Sequence, residues 1–211
     1  MINTEYTLYN VYAKYSKLDK DNACNINDAI YETMQGVDLI AGSIRLKNSD
    51  SVFTALGKEY ILREALADLK KKYDYVIIDT PPTLSLLTLN ALTCTNDVII
   101  PMQADIFSMQ GLSQLILQID AIKQYTNDKI KVAGVLLTKY SERNILTRDL
   151  YKQIEKVTKD LKLHLFKATI REAVLVKEAQ AQKTNIIDLD AKAKVTKDYI
   201  SFINEYMKGD K

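Results

Sequence analysis

The sequence predicts an α/β fold, a doubly wound and mainly parallel sheet with flanking helices, and two observations lead there. Short, nearly continuously apolar runs recur at residues 37–41, 75–79, 98–101 and 132–138, the pattern of strands covered on both faces. Between and after them the apolar spacing changes to the helical period. Crossover-connected parallel strands require that alternation.

Taken in order, residues 57–66 (GKEYILREAL) read as a helical approach to the second run. That run ends at Asp79, and Thr80, Pro81 and Pro82 turn the chain out of the strand direction. Leu112, Leu115, Ile116, Ile119 and Ile122 then form one helix face, and Leu146, Leu150, Ile154, Val157 and Leu161 another. A last helix is marked by Val195, Tyr199, Phe202, Ile203 and Tyr206. Its polar face mixes Lys197, Asp198 and Glu205, which suits packing on a sheet better than attraction to anionic lipid. The prolines, Pro81, Pro82 and Pro101, all follow short β-branched runs.

A chain of 211 residues with 47% hydrophobic content is long enough for one domain and short for two, so residues 1–211 are read as a single domain. No apolar run approaches the roughly eighteen residues that cross a bilayer, and the first ten residues lack the pattern of a secretory signal. The expected location is therefore the cytoplasm, without membrane contact. Cys24 and Cys94 form no CxxC pair and His164 is the only histidine, so neither a direct metal site nor a disulfide framework is expected. Between Leu163 and Leu165, His164 reads as structural. Residues 1–138 carry 13 basic and 16 acidic side chains, residues 139–211 carry 16 and 11. The basic excess lies in the last third, where Arg148, Lys152 and Lys156 recur every four residues opposite an apolar face, with Arg143 just before them. Such a stripe fits a DNA backbone and equally a solvated helix surface.

Asp79 is the candidate catalytic residue. A carboxylate at the end of an apolar strand can hold magnesium through water beside a nucleotide phosphate, and a fixed turn at Thr80, Pro81 and Pro82 can act as a switch. By itself the pattern also describes an ordinary strand end.

The neighbouring residues make the pattern specific. Residues 73–92, YDYVIIDTPPTLSLLTLNAL, resemble the second Walker region of the ParA/Soj partition ATPases, which are P-loop NTPases of the deviant Walker class. The resemblance continues through VIIPMQ at 98–103, Gly111-Leu112 and GVLLT at 134–138, and on through Ile170-Arg171-Glu172, KEAQ at 177–180 and DAKAK at 190–194. It implies an ATP- and magnesium-dependent homodimer that binds nonspecific DNA on the nucleoid and answers to a ParB-like centromere-binding protein in plasmid or chromosome segregation. It also implies that the nucleotide base lies near Thr138, Lys139 and Arg171. Thr138 and Lys139 independently follow a strand at the sheet edge where α/β folds bind ligands.

One part of the family pattern is missing. None of the six glycines stands in GxxxxGK[ST] or in the family's KGGxxKT form, and Gly57-Lys58 is followed by Glu59. A phosphate cradle of backbone N–H groups and a lysine is therefore not encoded. The expectation is a partial domain, amino-terminally truncated, lacking the first strand, the P-loop and the first helix. ATPase activity is implied by resemblance, yet this chain is expected to be inactive and to bind no ATP, and its unpaired strand edges are expected to lower stability or favour self-association. The alternative is a nucleotide-independent regulator of the same descent that binds DNA or a partner. A membrane-associated relative similar to MinD fits less well, because residues 206–211 form no basic amphipathic tail.

Overall fold

The computed structural model describes residues 5–16, 19–33, 36–67, 69, 72–141 and 145–209, with 145–147 in backbone alone. The chain divides into two compact units, Met1–Thr95 with Ile122–Asp128, and Asn96–Ala121 with Lys129–Lys211.

In the first unit, helix α1 (Leu8–Ser16) is apolar on two sides and is buried on both. Tyr9, Tyr12 and Ala13 join Leu46, Phe53, Ile61, Leu62 and Leu86 in one cluster. Val11 joins Cys24, Ile26, Ala29, Ala65 and Leu69 in another. The rest of this unit is carried by α2 (Ser49–Val52), α3 (Ile61–Ala67) and α4 (Leu86–Cys94). Asn90 on α4 is fully buried and fully satisfied. Its carbonyl accepts the Leu62 N–H at 3.0 Å, and its amide donates to the Lys58 and Leu86 carbonyls at 2.8 and 3.0 Å. That bonding ties α4 to the start of α3. Gly57, at φ 77°, opens a 3-10 turn, Lys58–Tyr60, so Gly57-Lys58 is a helix entrance.

Two expected strands differ here. Residues 38–40 do form a strand, β2 (Asp38–Ile40), but it pairs antiparallel with β1 (Ile30–Glu32). Val37 and Leu39 remain 68% and 39% exposed. The run reads as buried because it is apolar, whereas a two-stranded ribbon covers only part of its surface. Residues 75–79 join no ladder among the described residues, and Tyr75, Val76 and Ile77 are 59%, 51% and 93% exposed. A β-branched run becomes a strand only where a second backbone pairs with its N–H and C=O groups.

The second unit matches the expectation. Strands β3 (Asp97–Met102) and β4 (Lys131–Leu137) pair in parallel. They are connected by α5 (Ile106–Tyr125), whose Leu112 and Ile119 are buried in this unit. Helix α6 (Ile145–Asp160) then leads to residues 164–170, which run parallel along β4. The Val135 N–H donates to the His164 carbonyl, the Phe166 N–H to that of Val135, and the Ile170 N–H to that of Leu137, at 2.8, 3.0 and 2.8 Å. Gly134 permits this approach, since a Cβ there would lie 2.7 Å from Phe166 Cε2 and 3.0 Å from the His164 carbonyl oxygen. Three more helices follow, α7 (Val174–Gln182), α8 (Ile186–Leu189) and α9 (Lys194–Gly209).

Leu136, Phe166, Ile170 and Val195 form the core beneath α9, with Tyr199, Phe202 and Tyr206 packed against it. Ile203, expected in that stripe, is 48% exposed. It lies on the flank of the helix, while Asp198 and Glu205, read as solvent-facing, turn toward the sheet and are half-buried.

Candidate functional site

In the second unit, backbone pairing brings three expected site residues together. The bridge Thr138↔Ile170 and the bond from the Tyr140 N–H to the Ile170 carbonyl, 3.1 Å, set Thr138 and Lys139 beside Arg171. Thr138 also donates its N–H to the Met102 carbonyl at 2.9 Å, so the ends of β3 and β4 are joined at this edge. Lys139 is exposed and sits at φ 50°, a left-handed conformation that costs a lysine about 1–2 kcal/mol.

Arg171 is held by a residue that sequence reasoning missed as a site component. Asp198 accepts from Arg171 Nε at 2.6 Å, from Nη2 at 2.8 Å and from the backbone N–H at 3.2 Å. Two turns on, Glu205 accepts the Lys167 and Ala168 N–H groups at 2.9 Å each and faces His164 Nε2 at 3.3 Å. Burial raises the Glu205 carboxyl, but the two backbone donors and His164 more than offset that and leave it below the ordinary 4.5. The pair is spaced i, i+7 on one side of α9, flanking its apolar stripe. That spacing was the signal in the sequence.

In the first unit, Asp79, Thr80 and Pro81 line a cavity of about 510 Å³ with Leu8, Tyr12, Lys47, Asp50 and Ser85 among its walls. Asp79, Thr80, Pro81 and Pro82 are exposed. The turn after Asp79 is tethered by Thr88, whose hydroxyl donates to the Thr83 carbonyl at 2.7 Å. Asp50 caps α4 by accepting the Leu86 N–H at 2.8 Å, a role the sequence did not disclose because the partners are far apart in the chain. The Ser85 hydroxyl is buried without a partner. Among the described residues no group of three His, Cys, Asp or Glu is arranged around a metal.

On α6, Arg148, Lys152 and Lys156 are all exposed, opposite buried Ile154 and Thr158. Asp149 lies 3.8 Å from Lys152, so the stripe is basic but not purely so. Arg143 and the side chain of Leu146 lie outside the described residues. Burial pushes the Cys94 thiol up to about 11, which makes it a poor nucleophile. No helix among the described residues is long and apolar enough to cross a membrane.

Residues 2–132 match the sequence family described as AAA domain. Over 174 residues the chain is 32% identical to the sporulation initiation inhibitor protein Soj of Bacillus subtilis, covering 82% of this chain and 68% of that protein. The chain belongs to the ParA/Soj family. It is also 36% identical over 173 residues to the chromosome partitioning protein ParA of Myxococcus xanthus, which covers 82% of this chain and 58% of the relative. The cobyrinic acid a,c-diamide synthase of Mycobacterium smegmatis, solved with bound ADP and magnesium, matches with a TM-score of 0.70 at 30% identity, over 81% of this chain and 65% of that one. The fold is thus that of the ParA-like P-loop ATPases, and this ParA/Soj chain spans between about three fifths and two thirds of the length of these relatives.

Proposed function

We propose that the chain is part of a single ParA-type domain serving plasmid or chromosome segregation in the cytoplasm, at the nucleoid, and that as this chain it neither holds nor hydrolyses ATP. The observation that carries this reading is an imbalance. Thr138, Lys139 and Arg171 form a sheet-edge cluster suited to a nucleotide base, and Asp79 offers one carboxylate to a hydrated magnesium ion. No residue run supplies the phosphate cradle between those functions. The residues present therefore do not fit a bound triphosphate, and no hydrolytic step is assigned to them. In a chain that carried a cradle, Asp79 would be the magnesium carboxylate and Thr80, Pro81 and Pro82 the switch.

Calorimetric titration of ATP with magnesium into the chain is expected to give no saturable heat. Binding stronger than millimolar would overturn this reading.

The exposed stripe on α6 favours a second, compatible reading, in which the chain acts as a nucleotide-independent regulator on nonspecific DNA or with a ParB-like partner. Arg148, Lys152 and Lys156, with Arg143, are its proposed phosphate contacts. Replacing Arg148, Lys152 and Lys156 with Gln is expected to reduce the slope of log K against log salt by roughly 3 without altering sequence preference. An unchanged slope would assign the stripe to solubility alone.

A further inference from the structure

Residues 75–80 run without helix, turn or bend and join no ladder among the described residues. Side chains alternate along such a run, so Val76 and Ile78 share one face and Tyr75 and Ile77 the other. The first face meets the core of its unit through Ile78, which packs against the cluster of Tyr12, Phe53 and Leu62. On the second, Ile77 is 93% exposed. Folded chains blunt an edge they leave open with a charge or a proline inside the run. Residues 75–78, YVII, hold neither: the charges stand at the two ends, Asp74 and Asp79, and the prolines come later, at 81 and 82.

The cavity of this unit adjoins the run. Ile78 and Asp79 stand in its mainly apolar wall with Ile44, which is 84% exposed, so the depression can take a side chain of an added strand. Ser85, in the same wall, keeps a buried hydroxyl without a partner among the described residues, a group that an incoming backbone can satisfy.

The charges identify the occupant. Asp74 and Asp79 are both exposed and stand five positions apart, about 17 Å along a strand, on opposite faces because the interval is odd. A strand with four apolar residues between two basic ones has the same interval and the same alternation. It sets a cation beside each carboxylate in either strand direction, whereas the same run from a second copy would bring Asp against Asp, which destabilises a strand pair. Lys72 is held over the Tyr73 ring, 5.2 Å from its centroid, outside the run. Lys47 and Asp50 both stand in the cavity wall and together add no net charge there.

We propose that residues 75–79 accept a β-strand from a different polypeptide, one whose pairing segment has four apolar residues between two lysines or arginines. The pairing does not rest on the ATP or DNA readings.

The probe is a fluorescently labelled hexapeptide of four valines between two lysines, titrated into the full chain. Its anisotropy is expected to saturate, and amide hydrogen exchange of residues 76–79 to slow by roughly tenfold or more at saturation, while α5 and α9 keep their rates. The peptide with glutamates in place of the lysines is expected to bind roughly tenfold more weakly, and D74K/D79K to reverse that order. A peptide N-methylated at all four valines, which cannot donate hydrogen bonds from them, is expected not to bind. The comparison of the two flanks uses the unaltered chain, so it stands even if D74K/D79K fails to fold. Absence of saturable binding, equal affinity for the two flanks, binding of the N-methylated peptide, or protection that falls elsewhere than residues 76–79 would each overturn the proposal.

Discussion

Residues 98–102 and residues 75–79 are similar as sequence and unlike as structure. Both are β-branched and apolar and both end next to residues that break a strand. The first is strand β3, paired along its length with β4, and buries Ile100 and Met102. The second joins no ladder among the described residues and leaves Ile77 93% exposed. The difference shows that strand character belongs to a pair of backbones. Propensity nominates a segment, and only a neighbour that takes up its hydrogen bonds makes the segment a strand.

The largest expected effect breaks the paired region. Ile100 is 7% exposed, and Ile100→Ala removes side-chain volume from a close-packed site, so a loss of about 3 kcal/mol in unfolding free energy is expected. Denaturant unfolding followed by circular dichroism measures it. A loss under about 1 kcal/mol would mean that β3 is loosely packed, and the contrast with residues 75–79 would disappear.

How much of this was legible follows from the kind of information each element needs. Strands β3 and β4 and helices α5, α6 and α9 were readable, because their patterns are local and each is long enough to show its period. The antiparallel pairing of β2 was not, since the apolar run at 37–41 looks alike in a ribbon and in a buried sheet. The cluster of Thr138, Lys139 and Arg171 came from family resemblance and strand-end position together. Asp198 stayed hidden because a carboxylate on a helix is read as solvated unless its partner is known, and Arg171 is distant in sequence. Asp50 is the same case, with a backbone N–H of α4 as the partner.

A smaller effect sharpens the comparison within the second unit, where α9 braces the edge segment 164–170 through Glu205. Glu205→Gln keeps the shape and removes the charge from two backbone hydrogen bonds, for an expected loss of about 2 kcal/mol at neutral pH. The sign of the pH dependence follows from the lowered carboxyl. Glu205 binds its proton less readily folded than unfolded, so its contribution is complete above the ordinary 4.5 and is lost as pH falls through the lower folded value. Thermal melts between neutral and acid pH should therefore converge for wild type and variant at the acid end. Parallel curves would show that the charge of Glu205 contributes nothing.

The smallest expected change in stability comes from the exposed run at residues 75–79. Ile77 gains little from folding at its present exposure, so Ile77→Thr should shift unfolding free energy by no more than about 0.5 kcal/mol. Its effect should appear instead in association on heating, because an exposed β-branched run that joins no ladder among the described residues is a template for another chain. Light scattering during a melt is expected to rise later for Ile77→Thr than for wild type, while the unfolding midpoint by circular dichroism stays in place. A fall in stability of more than about 1 kcal/mol would show that Ile77 is packed in solution. Residues 75–79 would then be buried as β3 is, and the contrast between the two regions would be lost.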